Sequence, residues 1–163
     1  MKKLIICLLI AAALTGISCK SYTPPVIEGE VTQEKVNDAL EMIYDNYRGK
    51  LDLTGAQSYT VARGDSLVQI AHRFFGSLTD VGSAGPQNGF YFPVIMLASD
   101  SHIVDPDLIE PGMQLTIIDL ERNLNNRSSR QAIKDCLKDI AHIYNRKGNT
   151  GAEQGLLTLA DSL

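Results

Sequence analysis

The pattern that most restricts the fold lies between residues 58 and 118, where two short β-prone segments enclose two helical patterns. Residues 59–61 alternate between two faces, and residues 114–118 have the same β-prone character. Strand, helix, helix, strand in this order leaves the strands as an antiparallel pair with both helices on one face. The sequence therefore predicts an α+β unit with a two-stranded antiparallel sheet and βααβ order.

Apolar spacing and starting residues predict the two inner helices. Asp65 or Ser66 can cap the first helix, and Pro93 suits the first turn of the second, which is predicted from residue 92 to about residue 100. The apolar stripe of the first helix consists of Leu67, Ile70, Ala71 and Phe74. Between the helices, residues 76–89 are rich in glycine and predict a long exposed loop.

Further helices are predicted on both sides of this unit. Residues 32–57 contain an amphipathic helix, capped by Thr32 and ending near residue 47, and a connection. Residues 119–163 form a helical segment: Ser128 or Ser129 caps a helix that ends near residue 146, and Thr150 caps a short last helix. We expect these flanking helices to pack against the central unit and enlarge a core that is small by itself.

The first 18 residues have the layout of a signal peptide: two lysines, an apolar run over residues 4–14, and small residues before Cys19. The apolar run is shorter than the roughly 20 residues of a membrane-spanning helix. The ending Leu-Thr-Gly-Ile-Ser-Cys resembles the lipobox of bacterial lipoproteins, although Gly16 stands where leucine is common. The resemblance implies cleavage before Cys19 and its acylation with fatty acids such as palmitate, followed by a flexible tether over residues 19–31. A plain signal peptide is the alternative.

Charge and motif content exclude several functions. Removing Lys2 and Lys3 with the signal peptide leaves 13 of the 15 basic residues against 19 acidic ones, a formal charge of −6, which argues against a nucleic-acid partner. The three histidines are scattered, and no nucleophile or metal-ligand motif accompanies them. We therefore predict no enzyme activity, no metal and no cofactor. Cys136 lies at helical spacing between Ile133 and Ile140, which predicts a buried structural thiol.

Two motifs within residues 58–118 are more specific than the periodicity. The first is YTVARGDSL at residues 59–67, followed by Ile70-Ala71 and Phe74-Phe75-Gly76. The second is FPVI at residues 92–95, continuing to Ala98, with IVDPDLIEPGMQLTI at residues 103–117. Together and in this order they resemble the LysM (lysin motif) domain. The resemblance implies a βααβ domain over residues 58–118 that binds polymers containing N-acetylglucosamine, which in bacteria means peptidoglycan.

In LysM domains the sugar lies in a shallow groove between the loop after the first strand and the loop before the last. Carried over to this sequence, the resemblance implies one side of the groove formed by Gly64, Asp65, Ser66 and Leu67. The other side is formed by Ile103, Val104, Asp105, Pro106 and Asp107. Backbone amides at a helix start can donate to acetamido groups, but the same residues are also ordinary turn and cap residues.

The sequence departs from the LysM pattern at the end of the second helix. Ser99 follows Ala98 where the family commonly has asparagine, and Met96 and Leu97 occupy positions that are more often polar, which indicates that a flanking helix or a partner covers them. Two functions stay open. One is a lipid-anchored protein of the cell envelope that binds peptidoglycan. The other is an envelope scaffold whose LysM fold contacts a protein partner without binding sugar.

Overall fold

The computed structural model describes residues 22–76, 87–99, 103 and 105–163. Cys19, Val104 and most of the predicted 76–89 loop lie outside these residues. No helix in the described part of the chain combines the length and apolar character that crossing a membrane requires.

The sheet consists of two antiparallel strands, β1 (Gln57–Thr60) and β2 (Gln114–Ile117), with Gln57 opposite Ile117 and Thr60 opposite Gln114. Beyond β1, the Val61 N–H donates to the Met113 carbonyl at 2.9 Å and the Gly112 N–H donates to the Val61 carbonyl at 2.8 Å. Alternation along β2 buries Leu115 and Ile117. The predicted α+β class with βααβ order is confirmed.

The two inner helices are α2 (Leu67–Phe75) and α3 (Phe92–Ala98), the latter preceded by a 3₁₀ turn at Gln87–Tyr91. Ser66 caps α2 through a capping box: its hydroxyl accepts from the Gln69 N–H, and the Gln69 side chain accepts from the Ser66 N–H. Of the two caps that the sequence allowed, the structure therefore uses Ser66.

Flanking helices surround this unit: α1 (Gln33–Tyr47), α4 (Leu120–Asn125), α5 (Arg127–Arg146) and α6 (Thr150–Ser162). Thr32 caps α1 as predicted. The predicted caps of the last two helices are wrong by one to three residues, because Asn126 and Asn149 accept the first free N–H groups through their side-chain oxygens. Helix α4, which is only 6 residues long and is capped by Asp119, was not predicted.

One hydrophobic core joins the flanking helices to the central unit, as predicted. The Tyr44 hydroxyl of α1 donates to Met96 Sδ at 3.3 Å, and the rings of Phe92 and Tyr144 meet edge to face at 5.9 Å. Met96 and Leu97 are buried. Their apolar character is therefore explained by the flanking helices, which cover this face of α3.

Residues 22–31, predicted as part of a flexible tether, have no regular secondary structure but are fixed against the helices. Ile27 is buried, and the Tyr22 hydroxyl donates to Asp139 Oδ2 at 2.8 Å. The Tyr47 hydroxyl donates to the same oxygen at 2.9 Å, and Arg146 donates to the Gly29 carbonyl. The prediction is therefore corrected from Tyr22 onward, because apolar burial and these hydrogen bonds anchor the segment to α5.

Cys136 lies beside this cluster on α5 and is buried, as predicted. Burial raises the pKa of its thiol well above the usual value, with further contributions from Asp139 and Asp135. Burial and hydrogen bonds to Asp139 also raise the pKa values of Tyr22 and Tyr47. These groups therefore stay protonated at neutral pH, which suits a structural thiol and two hydroxyl donors.

Candidate functional site

A groove with a volume of about 160 Å³ lies between the start of α2 and the loop before β2. It is small beside the roughly 300–1,000 Å³ of a typical small-molecule pocket, so it suits part of a polymer better than a whole ligand. Its lining comes from four separate stretches of the chain: Asp65, Ser66, Leu67, Val68, Phe92, Pro106, Asp107, Ile109 and Tyr144.

The structure brings together five of the nine residues that the resemblance placed in a binding site. Asp65, Ser66 and Leu67 form one wall, and Pro106 and Asp107 form the other. Gly64, Ile103 and Asp105 do not line the groove, and Val104 lies outside the described residues. The two walls meet because both loops leave the sheet at the same end of the antiparallel pair.

Gly64 shapes the first wall through its backbone. Its φ of +90° lies in the left-handed region, which L side chains rarely adopt, and a Cβ at this position would meet no atom within 4 Å. The glycine is therefore required by the turn conformation rather than by lack of space.

The side chain of Asp65 stabilises the same turn through hydrogen bonds across it. Its Oδ2 accepts from the Tyr59 hydroxyl at 2.6 Å and from the Ala62 N–H at 2.8 Å, while Arg73 lies 3.5 Å from Oδ1. The hydroxyl of Tyr59, the N–H of Ala62 and the charge of Arg73 lower the pKa of Asp65, and partial burial opposes them. Asp65 is thus an ionised turn residue at neutral pH, and it does not cap α2.

The start of α2 supplies hydrogen-bond donors to the groove. The Ser66 hydroxyl accepts from the Gln69 N–H, whereas the N–H groups of Leu67 and Val68 meet no acceptor in the part of the chain that the structure describes. Such N–H groups at a helix start are available to a ligand carbonyl. Val68 also keeps 46% of its surface exposed beside them. The first wall therefore offers both donors and an apolar contact.

The second wall is a loop that is organised by Asp105. This residue is buried, and its Oδ1 accepts from the Asp107 N–H at 2.9 Å, which fixes the turn that carries Pro106 and Asp107. Asp105 therefore acts within the loop rather than in the groove. Ile109 lines the groove from the same loop, while its neighbour Leu108 is 67% exposed and does not line it.

The end of α3 is tied to the sheet by Ser99, in place of the expected asparagine. Its hydroxyl donates to the Ile95 carbonyl at 2.6 Å and accepts from the Thr116 N–H at 2.9 Å. Ser99 is almost fully buried. A serine at this position therefore still connects the second helix to β2.

Four residues that line the groove were not among the predicted ones: Val68, Phe92, Ile109 and Tyr144. The first three lie within or next to the LysM-like motifs, so their place in the sequence could have indicated them. Tyr144 belongs to α5, and no sequence pattern connects it with the groove. Only the packing of α5 against α3 brings it there.

A larger cavity, of about 370 Å³, lies between residues 23–27 and the second half of α5. It is lined mainly by hydrocarbon and contains no loop or helix start of the central unit. The described residues also contain no group of three His, Cys, Asp or Glu side chains that could hold a metal ion. The smaller groove is the candidate site because it combines donors, apolar contacts and the predicted loops.

Comparison with known families places eight of the nine residues that line this groove, all except Tyr144, in a recognised domain. The family model for the LysM domain matches residues 59–117, which are 59 of the 163 residues of the chain. Neither curated proteins nor solved structures gave a match to the chain. LysM is a binding domain, generally non-catalytic, and it typically binds glycans such as peptidoglycan.

Proposed function

Because residues 59–117 form a LysM domain, we propose that this protein is a non-catalytic lipoprotein of the bacterial cell envelope that binds peptidoglycan. The observation that carries the proposal is the groove between the two LysM loops, where Ser66 and Leu67 face Pro106 and Asp107. Binding of the glycan by residues on these loops is part of the proposal.

The chemistry of the groove suits an N-acetylated sugar. The N–H groups of Leu67 and Val68 can donate to an acetamido carbonyl, and the side chains of Val68 and Ile109 offer apolar surface to its methyl group and to a sugar ring. A neutral hydrogen bond contributes only about 0.5–1.5 kcal/mol net, so one groove binds weakly. A tethered module beside a repeating polymer compensates for this through high effective concentration.

We propose Cys19 as the membrane anchor because residues 1–19 resemble a lipoprotein signal peptide that ends at this cysteine. Acyl chains contribute about 0.8 kcal/mol for each buried methylene, so several chains on one cysteine hold a protein at a membrane for long periods. Tyr22, three residues later, is already hydrogen-bonded to α5. Three extended residues span at most about 11 Å. The LysM domain would therefore be held close to the membrane surface and would reach only the nearest glycan strands.

The anchor is tested by producing the full chain in a bacterial host that is fed labelled palmitate. We expect label in the protein and recovery with the membranes, and we expect the Cys19→Ala variant to carry no label and to leave the membrane fraction. A parent chain without label would contradict the lipid anchor and favour the plain signal peptide, while leaving the glycan proposal unaffected.

Glycan binding is tested by co-sedimentation of the processed protein with purified peptidoglycan. Ile109→Glu places a carboxylate in the groove, and we expect at least about tenfold weaker retention, because a charge under the sugar loses water without gaining a partner. Leu108→Glu is the matched control, since it changes the net charge equally on the same loop but outside the groove.

Thermal melts of both variants establish that they fold. Retention of the parent and of Leu108→Glu, with loss in folded Ile109→Glu, would support the proposed site. If the two variants were retained equally, we would conclude that the glycan does not bind in this groove. Failure of the parent itself to sediment would contradict glycan binding and favour the envelope scaffold.

A further inference from the structure

The end of α5 lies against the groove although it is outside the matched residues 59–117. Tyr144 lines the groove, and its ring packs edge to face on Phe92. The Tyr144 hydroxyl meets no hydrogen-bond partner among the described residues. Among the described residues, Arg48 Nε is the side-chain atom that is fully buried without a partner, so the Tyr144 hydroxyl is not fully buried. Tyr144 as a whole is only 5% exposed, so its hydroxyl has narrow access to solvent, and the groove is the opening that Tyr144 lines.

Lys147, the residue that follows α5, contacts the second wall but does not line the groove. Its Nζ lies 3.4 Å from Asp107 Oδ2, 3.8 Å from Asp105 Oδ1 and 5.4 Å from the centre of the Tyr144 ring. The side chain is 23% exposed, so these contacts are partly shielded from solvent. The ammonium group thus connects Asp105 and Asp107 of the loop to Tyr144 at the end of α5.

The N-terminal helix supports the same loop from another side. Gln33, the first residue of α1, donates through Nε2 to Asp105 Oδ2 at 3.1 Å. Asp105 is therefore held by α1, by Lys147 and by its own loop. A second wall fixed in this way loses less conformational entropy when it binds a ligand, and pre-organisation of this kind raises affinity.

We propose that the end of α5 completes the glycan site, with Tyr144 as a residue that contacts the sugar and Lys147 as a positioning residue for the loop at residues 105–109. This inference rests on the proposed function and extends it: the binding unit for N-acetylated glycan consists of the LysM domain and a helix outside it. The ring of Tyr144 is mostly buried against Phe92, so the contact with the sugar is made by the hydroxyl, which offers a donor or acceptor to a sugar hydroxyl or acetamido group.

The test uses calorimetric titration of the processed protein in detergent with an N-acetylglucosamine hexamer. Tyr144→Phe removes only the hydroxyl, and we expect about 2- to 10-fold weaker binding with an unchanged melting temperature. Lys147→Met keeps most of the apolar stem, and we expect binding that is weaker by up to about fivefold, the size of a partly exposed ion pair. Lys138→Met is the control, because Lys138 lies on α5 and pairs with Asp161, away from the groove.

Amide hydrogen exchange gives a readout for Lys147 that does not need a ligand. We expect faster exchange at the amides of residues 105 and 107–109 in Lys147→Met and unchanged exchange in Lys138→Met. Parental affinity in both Tyr144→Phe and Lys147→Met, with the parent binding the hexamer, would overturn the inference and leave the proposed function standing. A parent that binds neither the hexamer nor peptidoglycan would overturn the proposed function, and the assigned glycan contact with it.

Discussion

Replacing Asn123 with alanine is expected to lower the free energy of unfolding by about 2–4 kcal/mol, because the N–H and the carbonyl of Asp52, which are partly buried, would lose their partner. The side chain of Asn123 is fully buried in α4. Its Oδ1 accepts from the Asp52 N–H at 2.8 Å, and its Nδ2 donates to the carbonyls of Asp52 and Asp119 at 2.8 and 2.9 Å. One amide thus fixes the chain that enters β1 to the helix that follows β2.

Chemical denaturation of the purified protein measures this effect, and two further variants identify its cause. Asn125→Ala changes an exposed residue of the same helix and is expected to stay within about 0.5 kcal/mol of the parent. Asn123→Asp keeps the shape of the side chain but directs carboxylate oxygen at two carbonyls, so we expect a loss at least as large as that of alanine. Equal stability of Asn123→Ala and Asn125→Ala would show that water replaces the amide without cost.

Gly155→Ala is expected to destabilise the protein by about 1–3 kcal/mol, although alanine normally favours a helix over glycine by about 1 kcal/mol. Gly155 lies within α6, directly against the ring of Phe90, and a Cβ there would overlap with three ring carbons. Phe90 belongs to the 3₁₀ turn that leads into α3, and it is partly buried against the core, which limits the movement of its ring. The overlap would push α6 away from the segment that carries Phe92 to the groove.

Gly151→Ala in the same helix is the matched control. A Cβ at that position has Asn149 Oδ1 as its nearest neighbour, at an ordinary 3.8 Å. We expect this variant to melt at the parental temperature or slightly above it. For a chain of this length each kcal/mol shifts the melting temperature by about 2–4 °C, so the two variants should separate clearly in calorimetry. If both variants were stabilised alike, close packing of Phe90 on α6 would be ruled out.

The loops of the candidate site could be predicted only in part from the sequence, and Asp65 shows the reason. The sequence indicates that Asp65 or Ser66 starts α2, since either residue can cap a helix. The choice depends on Tyr59 and Ala62, which offer Asp65 an O–H and an N–H across the turn. Ser66 is then left to cap the helix. Local chemistry therefore limited the cap of α2 to two residues, and the hydrogen bonds of the turn decided between them.

Residues 22–31 show a second reason why the structure could be predicted only in part from the sequence. Tandem prolines and the lack of periodicity in residues 20–29 predicted a spacer, and residues 22–29 form no regular secondary structure. Tyr22 nevertheless reaches Asp139, 117 residues away in the sequence. No periodic pattern reports such a contact, because it depends on how α5 packs against α1.

The two strands, every α-helix except α4, their order along the chain and the positions of the two LysM loops could be predicted from the sequence. Apolar periodicity and caps act between residues three or four positions apart, so they can be read directly from the chain. Only the packed structure shows that Tyr144 lines the groove and that Lys147 contacts Asp107 in its second wall. It also shows that residues 22–31 are fixed against the helices and that Gly155 lies against Phe90. These contacts join distant segments, and they exist only once the helices pack around one core.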